Sequence, residues 1–374
     1  MQKRKTIAVI FGGQSTEHEI SCLTASEVVK ELDPSKYEMV CVGISPDGIW
    51  HRYGIEEVAG LHVEDNKLPR LDEDGPVAVA IRDEDGLRIA THVGDSLTDQ
   101  VKIDCVFSLL HGTYGEDGTL QGMLEMLGVS YVGSGVTASA IGMDKHFMKL
   151  ALQAADVPIG PFELVSSAQW LNEKETTIKR IADRLEFPVF VKPARGGSSV
   201  GISRVDEVTG LEEAVEEARK FDPKVIVEQG FIGAREVECA VLGPAKLGER
   251  PRVSCPGEIV VNKDAEFYDY QAKYLPTEGQ VDLNIPAKID EETSKVVRKL
   301  AVDSFLALDC EGLARADTFV TAQGEVYVNE VNTMPGFTKL SMFPSLWEAS
   351  GLSYRELLTD LIEQALARPV NVNR

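Results

Sequence analysis

The sequence predicts a mixed protein, α/β and then α+β, with a parallel α/β domain at its N-terminus. Three observations predict it. Apolar runs alternate with helical stretches over about the first 140 residues, a βαβ rhythm that suits a parallel sheet. A second region begins near Ile141, and in it proline stops the apolar strand Pro188-Val189-Phe190-Val191-Lys192-Pro193. A third region, from Val237 onward, carries one long helix pattern and a hairpin. The 374 residues suffice for two or three domains and for cores that need no covalent staples.

In chain order, Ile7-Ala8-Val9-Ile10-Phe11 is the first strand, ended by Gly12-Gly13. The basic start Met1-Gln2-Lys3-Arg4-Lys5 is like the head of a secretion signal, but the apolar run after it is too short for one. Ile20, Leu23 and Val28 recur at roughly helical spacing, and Thr16 with Glu19 has capping-box spacing. Met39 to Ile44 and Cys105 to Leu110 are further strands, while residues 61–100 are polar and aperiodic and predict sheet-edge strands and loops. Asp144 to Ala155 reads as a helix ended by Val157-Pro158, and Arg180 to Phe187 as another. Val237 to Val241 is strand-like, residues 291–308 are helical, residues 313–332 form the hairpin, and Ser353 to Ala367 is a closing helix.

Charge narrows the function. Lys plus Arg number 38 against 60 Asp plus Glu, a formal net charge of −22. Such a field repels polyanions, so no nucleic-acid partner is expected. A small anionic ligand would need locally concentrated cations. No run approaches the ~18 apolar residues of a membrane span, so no membrane partner is expected either. The six cysteines (Cys22, Cys41, Cys105, Cys239, Cys255, Cys310) form no C-x-x-C pair. They read as buried thiols of a reducing, cytoplasmic compartment, not as a disulfide framework or zinc site.

Three segments look chemical. Lys192-Pro193-Ala194-Arg195-Gly196-Gly197-Ser198-Ser199-Val200-Gly201 combines paired glycines, two hydroxyls and two cations. Backbone N–H groups exposed at such a turn suit a polyphosphate; the bland alternative is a surface turn. In the hairpin, Arg315 and Asp317 share one face of a strand, as do Glu330 and Asn332. A two-residue turn at Gln323-Gly324 would set Asp317 opposite Glu330 and Arg315 opposite Asn332. Opposed carboxylates repel unless a cation joins them, so this face suits Mg²⁺; the alternative is a solvated hairpin face. His111-Gly112-Thr113-Tyr114-Gly115-Glu116-Asp117-Gly118 follows a strand, where α/β sheets bind ligands, and makes His111 a substrate contact.

Seven segments, in this order, resemble the D-alanine–D-alanine ligase family of ATP-grasp carboxylate–amine ligases. They are Gly12 through Glu19; His111-Gly112 through Gly122; Met143-Asp144-Lys145; Lys192-Pro193 through Gly201; Phe267 through Tyr274; Arg315-Ala316-Asp317; and Asn329 through Gly336. They span nearly the whole chain. The resemblance implies an N-terminal α/β substrate-binding domain (1–140) and a two-part ATP-grasp fold: a central subdomain (141–236) and a C-terminal catalytic one (237–374). ATP would lie between their antiparallel sheets. It also implies ATP and Mg²⁺ or Mn²⁺ as cofactors, D-alanine as substrate, and a homodimer.

By the same resemblance, Asp317, Glu330 and Asn332 hold the metal, while Lys145 and Lys192 neutralise phosphates. Ser199, Glu228, Phe231, Ile232, Glu236 and Lys273 complete the nucleotide site. Arg315 stabilises the oxyanion, Glu17 holds the first ammonium, Ser198 and Tyr274 close over the site, and Gly336 and Ser341 meet the substrate, Ser341 taking the second carboxylate. One departure stands out. Val227-Glu228-Gln229-Gly230-Phe231-Ile232 carries one residue, Gly230, beyond the family's acidic–variable–aromatic–aliphatic pattern. Two readings compete with a D-alanine–D-alanine ligase: a D-lactate- or D-serine-using or other ATP-grasp ligase, and a non-catalytic nucleotide-binding module. Lys273-Tyr274 speaks against the first, and the set Arg315, Asp317, Glu330, Asn332 against the second.

Overall fold

The structure is a computed structural model that describes residues 3–71, 75–198, 200–244, 246, 248–261 and 281–369. Its first eight strands are β1 (Lys5–Gly12), β2 (Tyr37–Ile44), β3 (Trp50–Tyr53), β4 (Val77–Asp83), β5 (Gly86–Val93), β6 (Ser96–Lys102), β7 (Cys105–Ser108) and β8 (Ser130–Tyr131). They form one sheet in the order β6-β5-β4-β3-β2-β1-β7-β8. Strands β2, β1, β7 and β8 are parallel, whereas β3 to β6 extend the sheet as an antiparallel meander. The parallel sheet expected across the N-terminal region is therefore only half of it. A parallel sheet must be covered on both faces, which needs continuous apolar runs. β1 is buried from Thr6 to Gly12, but β6 is exposed along nearly its whole length. Polar residues 61–100 thus supply the edge.

One face of the parallel half is covered from the far end of the chain. Leu357 and Leu361 of the helix Tyr354–Ala367 share a core with Ile7, Val9 and Phe107. Burying these side chains stabilises by roughly 1.5–3 kcal/mol each, so the chain's two ends are held together by apolar area.

A second sheet contains β9 (Phe162–Val165), β10 (Val189–Pro193), β11 (Ser203–Val205) and β12 (Val225–Gln229), all antiparallel, in the order β11-β10-β12-β9. Val189, Val191, Val225 and Val227 pack with Ile181, Leu211 and Val215 from two helices. Strand alternation then sends Phe190, Lys192 and Glu228 to the opposite face.

The third sheet contains β13 (Arg235–Leu242), β14 (Arg252–Val253), β15 (Gly257–Val261), β16 (Val281–Asn284), β17 (Leu313–Val320) and β18 (Val326–Asn332). Its order is β16-β15-β13-β17-β18, with β14 beside β13. Val237, Cys239, Ala314 and Ala316 pack against Val297, Leu300 and Phe305 of the helix Glu291–Ala307. Glu236, Glu238, Arg315 and Asp317 stand on the other face by the same alternation.

The hairpin differs from expectation near its tip. Val320 pairs with Val326, so the turn spans residues 321–325 instead of closing at Gln323-Gly324. A bulge between Asp317 and Thr318 then places one extra residue, Asn329, on β18. The two departures cancel: Asp317 faces Glu330 and Arg315 faces Asn332, as the sequence predicted. All six cysteines are free, and Cys255 alone among them is more than slightly exposed. No described helix is long and apolar enough to cross a membrane.

Candidate functional site

A cavity of about 520 Å³ lies between the second and third sheets and is bordered by loops of the first. Its walls carry Glu17, His111, Lys145, Lys192, Ser198, Glu228, Phe231, Ile232, Glu236, Arg315, Asp317, Glu330, Asn332 and Gly336. Residues spread over 320 positions of sequence thus meet in one space (17 to 336). Ser341 is not on the wall. It precedes the helix Met342–Ala349 without a side-chain cap, its hydroxyl accepts from the Thr338 N–H at 3.1 Å, and it stands directly behind Gly336, where an added Cβ would lie 3.1 Å from Ser341 Oγ. Ser199, Lys273 and Tyr274 lie outside the described residues.

Glu17 comes from the loop after β1. Gly12 makes that loop possible: it adopts φ +85°, and a Cβ there would fall 2.4 Å from the Ile44 carbonyl oxygen. The helix His18–Glu31 starts at Glu17 with no side-chain cap, so the capping box expected of Thr16 and Glu19 does not form. The Glu17 carboxylate instead accepts a hydrogen bond from Ser198 Oγ at 2.6 Å, joining the first sheet's loop to the glycine-rich loop. Ser198 holds φ +49°, a left-handed conformation uncommon for serine. His111 Nδ1 lies 3.2 Å from the Met334 carbonyl oxygen, tying the loop after β7 to the segment after β18.

The glycine-rich loop is anchored at both ends. Arg195, read from sequence as a phosphate cation, is engaged elsewhere: its guanidinium donates twice to buried Asp222, at 2.9 and 2.7 Å, and its backbone N–H also binds that carboxylate. Lys145 opens the helix Lys145–Ala154, capped by Asp144. Its ammonium donates to the Gly196 carbonyl at 2.8 Å and lies 3.4 Å from Glu330.

The second sheet contributes a buried ion-pair cluster. Glu228 lies 2.5 Å from Lys192 and 2.9 Å from Lys149. Burial pushes its carboxyl up, but the two ammonium groups more than offset that and hold it at about 2. Lys192 is pushed down by burial and pulled further up by Glu228, so it is charged. Gly230, the residue beyond the family pattern, ends β12 against its neighbour: a Cβ there would lie 2.8 Å from the Pro188 carbonyl oxygen. Phe231 then stacks on Tyr327 of the third sheet, ring centroids 4.8 Å apart, while Ile232 is 61 % exposed at the rim.

The third sheet contributes the opposite excess. Arg315 is buried and donates bidentately to Asp317, at 2.7 Å for both bonds, with Glu238 2.8 Å from its Nε. Burial works against its charge, yet Asp317 and Glu238 raise its affinity for the proton well above the ordinary value. Asn332 donates to Asp317 at 2.9 Å. Glu236 is open to the cavity, yet the protein around it partly desolvates its carboxyl and, together with the charge of Asp317, raises its proton affinity above the ordinary carboxylate value. Among the described residues no three carboxylate, imidazole or thiolate groups stand ready as a metal cage. The donor set nevertheless fits a hard divalent cation: Asp317 and Glu330 are directly opposed, and Glu236 resists ionisation beside them. A cation would relieve both.

Two functional candidates escaped the sequence reading, Glu238 and Lys149. Each carried a spacing signal: Glu238 follows Glu236 by two on a strand, and Lys149 follows Lys145 by four on a helix.

Comparison with known proteins agrees with this geometry. Residues 6–134 match the family model for the D-ala D-ala ligase N-terminus, and residues 151–363 that for its C-terminus. A protein from Kocuria rhizophila described as a D-alanine–D-alanine ligase is 48% identical over 371 residues, covering 98% of this chain and 95% of its own. One from Rhodococcus jostii with the same description is 46% identical and covers 100% of both. Among solved structures, the D-alanine-D-alanine ligase from Coxiella burnetii superposes with a TM-score of 0.80 at 34% identity, covering 97% of this chain and 94% of its own. The VanG D-Ala:D-Ser ligase from Enterococcus faecalis gives 0.81 at 35%, covering 97% and 100%.

Proposed function

The chain belongs to the D-alanine–D-alanine ligase family, and from that premise we propose that it joins two D-alanines into D-alanyl-D-alanine, driven by ATP, for peptidoglycan precursors. The observation that carries this reading is the pairing across the bulge, Asp317 to Glu330 and Arg315 to Asn332, on the wall facing Lys192.

A carboxylate is a poor acyl donor. The first D-alanine carboxylate takes the terminal phosphoryl group of ATP, giving an acyl phosphate and ADP. The second D-alanine attacks through its deprotonated amine, a tetrahedral oxyanion forms, and phosphate leaves. Such chemistry depends on position and on charges placed where charge develops. Glu17, fixed by Ser198, holds the first ammonium. Arg315, held in plane by Asp317 and Glu238, faces the oxyanion. Lys145 and Lys192 meet the phosphates, Glu228, Phe231, Ile232 and Glu236 border the nucleoside, and the resemblance assigns Ser199 and Lys273, outside the described residues, to the same nucleotide. Asp317, Glu330 and Asn332 would hold Mg²⁺ or Mn²⁺, which supplies charge neutralisation on phosphate oxygens. His111 and Gly336 line the substrate end, with Ser341 behind Gly336 and the second carboxylate near it.

By the family resemblance Tyr274, which lies outside the described residues, would join the hydrogen-bonded Glu17–Ser198 pair in closing over the site, which would keep water from an acyl phosphate. The domain limits near 140 and 236, the cytoplasmic location and the homodimer belong to the same reading. The test is phosphate release with product identification, supplying D-alanine alone and with D-serine, D-lactate or L-alanine. D-alanyl-D-alanine is expected to dominate near neutral pH. Dominant D-alanyl-D-serine or depsipeptide would replace the substrate assignment, and no ATP turnover with any of them would remove the ligase reading.

A further inference from the structure

The bulge at Asn329 decides which way β18 faces. Below it, Thr318 pairs with Val328; above it, Asp317 pairs with Glu330. Without the extra residue, continuing the lower register would set Asn329 opposite Asp317 and turn Glu330 toward the buried side, opposite Ala316. A bulge leaves backbone groups unpaired by the ladder, so something must satisfy them.

The helix Lys145–Ala154 does so. Lys149 Nζ donates to the Asn329 carbonyl at 3.2 Å, and the Val331 N–H points at the Met148 sulfur at 3.3 Å. The same ammonium lies 2.9 Å from Glu228 on the second sheet, with only 3% of the side chain exposed. One buried cation therefore touches both walls of the cavity.

We infer that Lys149 is a positioning residue: it ties Glu228 to the bulge at Asn329 and so fixes the side of β18 on which Glu330 and Asn332 stand. Lys149 need not touch substrate. It acts by satisfying the bulge carbonyl and by sharing the charge of Glu228, so that Lys192 is not the only counter-ion of that carboxylate. The inference rests on the ligase reading for its functional meaning, but its structural half does not.

Lys149→Met alone leaves a buried carboxylate short of one partner and can unfold the chain. The informative comparison is therefore Glu228→Gln, which leaves Lys149 and Lys192 without their shared carboxylate, against Lys149→Met/Glu228→Gln, which leaves only Lys192, still attracted by Glu330 and Glu236, so that folding is expected to survive at least as well in the double variant. Hydrogen exchange of the ligand-free proteins is read at residues 329–331, and Mg²⁺ dependence is read in the phosphate-release assay. The double variant is expected to exchange there about tenfold faster or more than Glu228→Gln, the size of a lost hydrogen bond from a charged donor. Its Mg²⁺ requirement is expected to rise while its D-alanine requirement does not. Equal exchange and equal Mg²⁺ dependence in the two variants would reduce Lys149 to a counter-ion of Glu228 and overturn the inference. Absence of ATP turnover in the wild type would instead remove the ligase reading and leave the exchange result standing.

Discussion

The two sheets that enclose the cavity both place charge in it, but among the described residues only one is balanced. On the second sheet Glu228 is held between Lys149 and Lys192, and Arg195 is matched by Asp222. On the third, Glu236, Glu238, Asp317 and Glu330 share a wall with Arg315, and Lys145 lies 3.4 Å from Glu330. The first arrangement is complete by itself; a nucleotide must compete with Glu228 for Lys192. Among the described residues the second has more carboxylates than cations, an excess that a divalent cation would relieve. One wall is built to be stable and the other to be completed.

The largest effect is expected where the unbalanced wall loses its cation. Arg315→Met takes the guanidinium from buried Glu238 and half-buried Asp317, costing about 3–5 kcal/mol of stability. The same change is expected to cut turnover by roughly 10²–10³ through loss of oxyanion stabilisation. Denaturant unfolding and product assay below the unfolding midpoint separate the two. Near-normal turnover in folded variant would take Arg315 out of the chemistry.

The two walls should also respond to pH with opposite signs. Glu228 has its proton affinity lowered by folding, to about 2 from an ordinary 4.5. Its stabilisation is therefore full above about 4.5 and lost as pH falls toward 2. Glu236 has its proton affinity raised by folding. Its favourable contribution is full below the ordinary carboxylate value and lost as pH rises through its folded value. At pH ~7, Glu228→Gln is thus expected to lower Tm, and Glu236→Gln to raise it. The Glu228→Gln deficit should shrink in acid. Equal signs for the two variants at neutral pH would erase the contrast between the walls.

A smaller effect belongs to the link between the first sheet's loop and the glycine-rich loop, outside the contrast. Ser198→Ala removes the 2.6 Å hydrogen bond to the Glu17 carboxylate. Bonds to charged groups are worth about 1.5–3 kcal/mol, so the D-alanine KM is expected to rise about tenfold or more, with little change for ATP. A change in the ATP KM alone would reassign the Glu17–Ser198 pair to the nucleotide.

Much of this site could be read from residue order, because strand alternation converts spacing into a shared face. Arg315 with Asp317, and Glu330 with Asn332, follow from that rule alone. Their pairing across strands did not: the turn is longer than expected, and only the bulge at Asn329 restores the register. A bulge depends on what caps it, here Lys149, 180 residues away. The fate of Arg195 was hidden for a similar reason, since Asp222 meets it only after the loop folds back. Ser341, which the resemblance assigns to the second carboxylate, stands behind Gly336 with its hydroxyl accepting from the Thr338 N–H, a placement that spacing alone does not reveal. The antiparallel half of the first sheet was latent in the polarity of residues 61–100, which cannot be covered on both faces.

The unbalanced wall makes its most direct claim at Glu330, which faces Asp317 across the bulge. The decisive measurement is a Mg²⁺ titration of phosphate release at saturating ATP and D-alanine, wild type against Glu330→Gln, with Tm recorded for both. Glu330→Gln keeps the side chain's shape and removes one of two opposed carboxylates, so Tm is expected to hold or rise. The Mg²⁺ requirement is expected to increase at least about tenfold, and turnover at saturating Mg²⁺ to fall by orders of magnitude. Wild-type turnover and an unchanged Mg²⁺ requirement in the folded variant would contradict the assignment of this wall to the metal and its nucleotide.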